Sequence, residues 1–155
     1  ETARKLSDKP NIKFALAGDG PLMSMLESSN PGNLTLLGRL QANDIAALLI
    51  SSDAFCLPTR SEGFSTSLLE AAACYTTPII TNVGGVPEMI PDDRFGIILQ
   101  SQSSEEIAKS IIKVQSNPTQ NHKMAQNIGM RVRTVFSWQK TAEKVLLACQ
   151  NANKQ

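Results

Sequence analysis

The sequence predicts an α/β layer sandwich with a parallel sheet, because short apolar runs alternate with segments of helical periodicity over its first hundred residues. The length of 155 residues suits one domain, since a chain of that size removes roughly two-thirds of its unfolded surface from water. Hydrophobic residues make up 41% of the chain and charged residues 19%, which excludes a disordered or fibrous chain. We therefore expect residues 1–155 to form a single globular domain.

Five short strands are predicted: Ile12–Ala17, Leu34–Leu37, Ala54–Leu57, Pro78–Thr81 and Gly96–Leu99. Four helices alternate with the strands and three more follow them: Pro21–Ser28, Asn43–Ser51, Ser65–Cys74, Val86–Ile90, Ser103–Gln115, Thr119–Phe136 and Ser137–Asn151. Ser103 and Glu106 resemble a capping box, and Ser137 is a candidate cap of the last helix. Because parallel strands need crossover connections, this alternation favours one open Rossmann-like sheet with helices on both faces, followed by C-terminal helices.

The charge of the chain is nearly balanced. Fifteen basic and fourteen acidic side chains give a net charge of +1, too little to neutralise a row of phosphates, so no nucleic-acid partner is expected. Residues 53–100 hold two basic and six acidic side chains, whereas residues 101–155 hold eight basic and three acidic ones. The basic part suits a solvated helical face and leaves peripheral contact with an anionic membrane open.

The three cysteines favour a reducing compartment. Cys56, Cys74 and Cys149 are an odd set without Cys-x-x-Cys spacing, and Cys56 lies in an apolar run where a thiol packs as a small hydrophobe. We therefore expect a cytoplasmic protein. No run approaches 18 apolar residues and no signal-peptide pattern opens the chain, so no transmembrane segment is predicted.

Ligands of parallel α/β sheets bind at the carboxyl ends of the strands, where helix N-termini present free N–H groups. Four loops occupy that position: Ala-Gly-Asp-Gly-Pro at 17–21, Leu-Gly-Arg at 37–39, Pro-Thr-Arg-Ser-Glu-Gly-Phe-Ser at 58–65 and Thr-Asn-Val-Gly-Gly-Val-Pro-Glu at 81–88. The first loop has only part of the dinucleotide fingerprint, because Met23 stands where its third glycine belongs. A nicotinamide cofactor is therefore not expected.

The third loop carries the strongest chemical signal. Glu62 precedes a helix that begins near Ser65 and carries Glu70 in its second turn. Gly63 lets a ligand approach the backbone, and the amides of residues 64–67 lack intrahelical partners and could hold an anion. Carboxylates beside such amides are good acceptors for sugar hydroxyls, which together suggests a phosphate flanked by sugars. Glu62 alone could equally complement the helix dipole, whereas Glu70, among apolar neighbours, should face a polar cleft.

These residues carry a resemblance to a known family. Glu62 and Glu70 are separated by seven residues, which resembles the Glu-x7-Glu signature of retaining glycosyltransferases. The four loops in their order, together with Phe-Ser-Trp at 136–138, are similar to the group-1 (family four) glycosyltransferases of GT-B fold. The resemblance extends from about Ile12 to Leu147 and implies the C-terminal, donor-binding domain, with the acceptor domain and the first strand lying before Glu1.

The resemblance implies a role for each matching residue. Glu62 is the candidate catalytic residue near the reacting centre of the donor sugar, and Glu70 would accept from ribose hydroxyls. The full set expected to bind the donor is Gly18, Gly20, Arg39, Arg60, Gly63, Phe64, Ser65, Thr66, Ser67, Glu70, Gly84 and Gly85. Transfer would retain the anomeric configuration and would rest on orientation and on charge stabilisation at the leaving phosphate. No metal or other cofactor is expected, because the scheme needs none and no Asp-x-Asp occurs.

The sequence departs from the family pattern in two places, of which the first is expected to lower donor affinity and the second concerns the turn after the Glu pair. The Arg and Lys that usually bind the diphosphate would precede Glu1, which leaves Arg39 and Arg60 as local cations, although each fits an ordinary surface residue better than a ligand of the donor. Tyr75 occupies a turn where the family has a glycine, and a positive φ there would cost of order 1 kcal/mol.

The leading hypothesis is the donor-binding half of a glycosyltransferase of polysaccharide biosynthesis, inactive alone, that takes a nucleotide-diphosphate sugar and transfers to a glycan, lipid or small molecule. A non-catalytic nucleotide-sugar-binding module and a GT-B nucleotide-sugar epimerase remain as alternatives. Fold follows from the alternation and the resemblance together, whereas neither identifies the base of the donor.

Overall fold

The computed structural model describes residues 1–152. Five strands are present: β1 (Phe14–Ala17), β2 (Leu34–Gly38), β3 (Ala54–Leu57), β4 (Thr77–Thr81) and β5 (Ile97–Leu99). The described helices are α1 (Thr2–Lys5), α2 (Met23–Ser28), α3 (Ala42–Ile50), α4 (Thr66–Ala73), α5 (Val86–Met89), α6 (Ser104–Ser116), α7 (Pro118–Val135) and α8 (Trp138–Ala152). Every predicted strand and helix is confirmed, and most bounds shift by one or two residues.

The strands form two parallel sheets, whereas the sequence predicts one open sheet. All strand pairs are parallel, as expected, but β1 pairs only with β2, and β3, β4 and β5 form a second sheet in that order. Periodicity locates a strand along the chain but does not encode which edge of it receives hydrogen bonds from a neighbour. In the structure, α3 connects β2 of the first sheet to β3 of the second.

The main core lies on the two faces of the second sheet. β4 is its middle strand and is buried along its whole length, as parallel strands covered on both sides should be. Ile79 and Ile80 are adjacent residues of β4, and their side chains point to opposite faces of the sheet. Ile80 packs with residues of α4, α5 and α7, and Ile79 packs with residues of α6. This arrangement gives the helix, sheet and helix layers that the sequence predicts.

Serine side chains begin three of the helices. Ser65 accepts from the N–H of Leu68 at the start of α4, and Ser137 accepts from the N–H of Lys140 at the start of α8. Ser103 accepts from the N–H of Glu106 at 3.2 Å, which confirms half of the expected capping box. The Glu106 carboxylate does not return to Ser103; it accepts from the backbone N–H of Gln100 and from the hydroxyl of Ser101.

The turn after α4 has the positive φ that the family glycine would provide. Tyr75 adopts φ +58°, and the N–H groups of Tyr75 and Thr76 bond the carbonyls of Ala72 and Ala71 at 2.9 and 3.0 Å, a Schellman motif. The Tyr75 ring lies against Gly129 of α7 and under the Arg133 guanidinium, 5.1 Å from the ring centroid. Packing of the ring therefore offsets the strain of a left-handed residue with a side chain.

We expect Gly129→Ala to lower the free energy of unfolding by about 1–3 kcal/mol, because the new Cβ would overlap the Tyr75 ring, whose Cγ lies only 2.9 Å from it. Alanine otherwise favours a helix over glycine, so the sign of the effect isolates the clash. In a Tyr75→Gly background the loss should largely disappear. Urea denaturation of the two single variants and the double variant measures this coupling, and additive effects would contradict the proposed packing.

None of the helices within residues 1–152 combines the length and the apolar character needed to cross a membrane.

Candidate functional site

Two of the loops predicted to bind a ligand pack directly against each other. The N–H of Gly85 in the loop after β4 donates to the carbonyl of Gly63 in the loop after β3, at 2.8 Å. Gly84 has φ +54°, and a Cβ there would overlap the carbonyl oxygen of Glu62 and lie 2.5 Å from that of Gly63. A Cβ at Gly85 would lie 2.6 Å from the Phe64 ring. Gly84 is therefore required by the close approach of the two backbones, whereas Gly85 leaves room for the Phe64 side chain.

A second anchor holds the loop after β3 on the other side of Glu62. The carbonyl of Thr59 accepts from the buried hydroxyl of Thr81 at 2.5 Å and from the side-chain amide of Gln102 at 2.9 Å. With the Gly63 contact, these bonds fix the loop before and after Glu62. The loop is therefore positioned by β4 and by the segment after β5 as well as by its own strand.

The first turn of α4 provides backbone donors beside this loop. Ser65 is 2% exposed, and its hydroxyl accepts from Leu68 N–H, so the side chain serves as the N-cap. The N–H groups of Thr66 and Ser67 have no partner among the hydrogen bonds of residues 1–152. These two amides and the positive end of the helix dipole are available to an anion.

The two signature carboxylates are both accessible to a ligand. Glu62 is half-buried in the loop and Glu70 is exposed in the second turn of α4. Neither carboxylate forms a hydrogen bond or an ion pair within the described part of the chain. An unpaired carboxylate keeps its lone pairs for donors of a ligand, such as sugar hydroxyls. The Glu70 carboxylate is thus exposed, although the residues on either side of it in the sequence are apolar.

The two predicted cations, Arg60 and Arg39, differ in their contacts. Arg60 lies in the loop after β3 and donates from Nε to Oε1 of Gln102 at 3.3 Å, while Arg39 is an exposed residue after β2. The Nη groups of Arg60 make no hydrogen bond among the described residues, which leaves a two-nitrogen edge free for an anion. Arg94 is already occupied, since its guanidinium forms hydrogen bonds of 2.9 and 2.7 Å to Asp92.

The loops after β1 and β2 form a separate pair. Gly18 has φ +136° and donates from N to the carbonyl of Gly38, which has φ +61°, at 2.7 Å. Gly20 stands in open space. No hydrogen bond of residues 1–152 joins Gly18 or Gly20 to the segment from Glu62 to Glu70. Their predicted contact with the same donor stays a prediction.

Arg131 of α7 and Phe136, which directly follows α7, contact α5 and the Phe64 ring. The rings of Phe64 and Phe136 lie 5.6 Å apart, and the Arg131 guanidinium stands 5.9 Å from the Phe136 ring. Arg131 also donates to the carbonyls of Glu88 and Met89 at 2.7 and 3.0 Å, which satisfies the C-terminal end of α5. Sequence reasoning missed Arg131 as it missed Gln102, because both act across more than forty residues.

Asp92 and Asp93 begin a turn. The Asp92 carboxylate accepts from the backbone N–H of Arg94 at 3.0 Å, and the Arg94 side chain beside it lowers the pKa of Asp92 to about 2. Within residues 1–152, no three His, Cys, Asp or Glu side chains cluster as a metal site requires. A shallow groove of about 410 Å³ beside β5 includes Asn82 and Lys113 in its lining but none of the predicted site residues. The predicted site lies outside this groove, at the carboxyl ends of β3 and β4, which Glu62 and Gly84 follow.

Solved structures of similar shape establish the fold. Sucrose-phosphate synthase from Thermosynechococcus elongatus superposes with a TM-score of 0.82 at 21% identity, over 99% of this chain and 42% of that chain. The C-terminal domain of a group 1 glycosyl transferase from Francisella tularensis gives a TM-score of 0.77 at 24% identity, over 88% of this chain and 76% of that one. Anabaena HepE in complex with UDP gives 0.83 at 18% identity, over 97% of this chain and 44% of that one. The chain has the α/β fold of the GT-B glycosyltransferases.

The family follows from the sequence comparisons. The family described as "Glycosyl transferases group 1" matches residues 1–130, and the chain belongs to it. One relative is a phosphatidylinositol N-acetylglucosaminyltransferase subunit of Arabidopsis thaliana, 30% identical over 151 residues, which are 94% of this chain and 33% of that protein. An N-acetylgalactosaminyltransferase of Campylobacter jejuni that acts on a diphospho-undecaprenol compound is 33% identical over 114 residues, 72% of this chain and 29% of that protein. The chain spans about a third of the length of these relatives.

Proposed function

We propose that residues 1–155 are the donor-binding half of a retaining glycosyltransferase, which moves a sugar from a nucleotide-diphosphate sugar to an acceptor held by another domain. One observation carries the proposal: two unpaired carboxylates, Glu62 and Glu70, flank the free amides of Thr66 and Ser67. Carboxylates suit sugar hydroxyls and helix amides suit phosphate, so the arrangement fits a ligand with both groups. Anabaena HepE has been solved with UDP and with UDP-glucose, which supports a nucleotide-sugar donor for this fold.

The chain's own residues would bind and orient the donor. Thr66 and Ser67 would donate backbone N–H bonds to the diphosphate, and charge that develops on the leaving phosphate would be stabilised by the same groups and by the dipole of α4. Glu70 would accept from ribose hydroxyls, and Glu62 would hold the donor sugar at the reacting carbon. Gly84 and Gly85 would act indirectly by keeping the backbone of Glu62 and Gly63 in place. No resident metal or other cofactor is part of this scheme.

The identity of the acceptor is a separate question. Named relatives act on phosphatidylinositol and on a lipid diphosphate, and their names leave a lipid, a glycan or a small molecule open for this protein. We propose that the reaction takes place in the cytoplasm.

The full-length protein tests the proposal. It should be incubated with UDP-, GDP- and ADP-sugars, with and without candidate lipid and glycan acceptors, and the product examined by nuclear magnetic resonance. Transfer that requires an acceptor and keeps the anomeric configuration is the expected result. Conversion of the donor sugar without an acceptor would indicate an epimerase, and binding without turnover would indicate a non-catalytic module.

A further inference from the structure

The loop that carries Glu62 is linked to a residue that no motif marks. Gln102 lies between β5 and α6, forty residues after Glu62 in the sequence. Its side-chain amide donates to the carbonyl of Thr59 at 2.9 Å, and its Oε1 accepts from Nε of Arg60 at 3.3 Å. One amide therefore contacts two consecutive residues of the loop, one through the backbone and one through the side chain.

The segment that presents Gln102 is itself held in place. The N–H of Gln100 and the hydroxyl of Ser101 both donate to the carboxylate of Glu106, and Ser101 Oγ lies 3.0 Å from Ser103 Oγ. These hydrogen bonds lower the pKa of Glu106, which keeps it an acceptor at neutral pH. The segment is thereby attached to the first turn of α6, which fixes the backbone of Gln102 relative to Thr59 and Arg60.

The orientation of Arg60 matters because cations are scarce around the site. Residues 53–100 contain two basic side chains, Arg60 and Arg94, against six acidic ones. Arg94 is paired with Asp92. With its Nε bonded to Gln102, Arg60 keeps both Nη groups free, and a guanidinium fixed at Nε presents that edge in a defined direction.

We propose that Gln102 is a positioning residue for donor binding, which directs the guanidinium of Arg60 toward the phosphates of a nucleoside diphosphate bound beside α4. The proposal rests on the proposed function, since it assigns the ligand to the same site. It adds a residue from outside the four loops and a role for Arg60 in place of that of an ordinary surface residue. Gln102 touches Arg60 and the loop and is not itself assigned to the reacting atoms.

The test compares two ligands that differ only in their phosphates. The chain of residues 1–155 is titrated with UDP and with uridine, and backbone amide shifts report each dissociation constant. The variants are Gln102→Met, Arg60→Met and the double variant, with Gln115→Met as the matched control on the exposed surface of α6. Methionine keeps the length of glutamine and removes both hydrogen-bonding groups.

We expect Arg60→Met to weaken UDP binding about tenfold, because it removes a charge-assisted hydrogen bond to phosphate, and Gln102→Met about fivefold, because the guanidinium is then no longer held toward the phosphate. Uridine binding should be unchanged, and the double variant should bind UDP no more weakly than Arg60→Met, because Gln102 acts through Arg60. Gln115→Met should match the unsubstituted chain.

Any of four results would overturn the inference. Equal weakening of UDP and uridine by Gln102→Met would mean that the residue only supports the loop, and effects that multiply in the double variant would mean that it does not act through Arg60. An unchanged affinity of Gln102→Met for UDP would remove its role while the proposed function stands. If UDP, GDP and ADP all fail to bind the unsubstituted chain, the proposed function fails and the role of Gln102 with it; if only GDP or ADP binds, the same comparison is made with that diphosphate and its nucleoside.

Discussion

Gly84→Ala is expected to lower the free energy of unfolding by about 3 kcal/mol or more, the sum of a left-handed backbone with a side chain and a severe overlap. Gly84 has φ +54°, and its new Cβ would overlap the carbonyl oxygen of Glu62 and lie 2.5 Å from that of Gly63. Backbone atoms cannot rotate aside as a side chain can, so one of the two loops must move. The hydrogen bond from Gly85 to Gly63 would be lost with that movement.

Gly38→Ala is the matched control for this effect. Gly38 has φ +61°, almost the same as Gly84, but no atom lies within 4 Å of the position of its Cβ. It should therefore show only the conformational cost, about 1–2 kcal/mol. Urea denaturation of the two variants gives the difference. Equal losses of stability would mean that the two loops are not in close contact at Gly84.

Glu62→Gln in the full-length protein is expected to lower kcat by about a hundredfold or more, because a carboxylate that orients the donor sugar acts mainly in the transition state. Glu62 has no partner among the described residues, and its loop is held by the carbonyls of Thr59 and Gly63 instead. The substitution should therefore leave the fold intact. The dissociation constant for the nucleotide should change little, since the helix amides remain.

Glu27→Gln is the control for this prediction, since Glu27 is an exposed residue of α2 outside the candidate site. Steady-state kinetics and thermal unfolding of both variants separate catalysis from stability. Full transfer activity in Glu62→Gln would refute the catalytic role of this residue.

The periodicity of the sequence predicted the strands and helices well, because alternation of short apolar runs and amphipathic segments is a local property. The separation of β1 and β2 from the other strands depends on which edges pair, which is a property of the assembled fold. The same reason explains Tyr75. Its left-handed turn was predictable from the position, but the ring contact with Gly129 that makes it tolerable joins residues more than fifty positions apart.

The candidate site divides in the same way. The pair Glu62 and Glu70 and the cap at Ser65 lie within nine residues, so a motif could identify them. Gln102 lies in the segment after β5, whereas Thr59 and Arg60 lie in the loop after β3. Contacts between such distant residues leave no local pattern in the sequence. The base of the donor follows from neither, because no residue of the described site is shown to contact a base.

We infer that the first turn of α4 binds a nucleoside diphosphate, and an amide titration of residues 1–155 is the direct test. UDP, GDP, ADP and their sugar conjugates are added in turn, with Glu70→Ala as the variant expected to weaken binding through the ribose. We expect this binding to give saturable shifts at Thr66, Ser67 and Gly84 for one base, with a dissociation constant on the order of millimolar. Unchanged amides at these positions with every ligand, or saturable shifts confined to another surface, would contradict it.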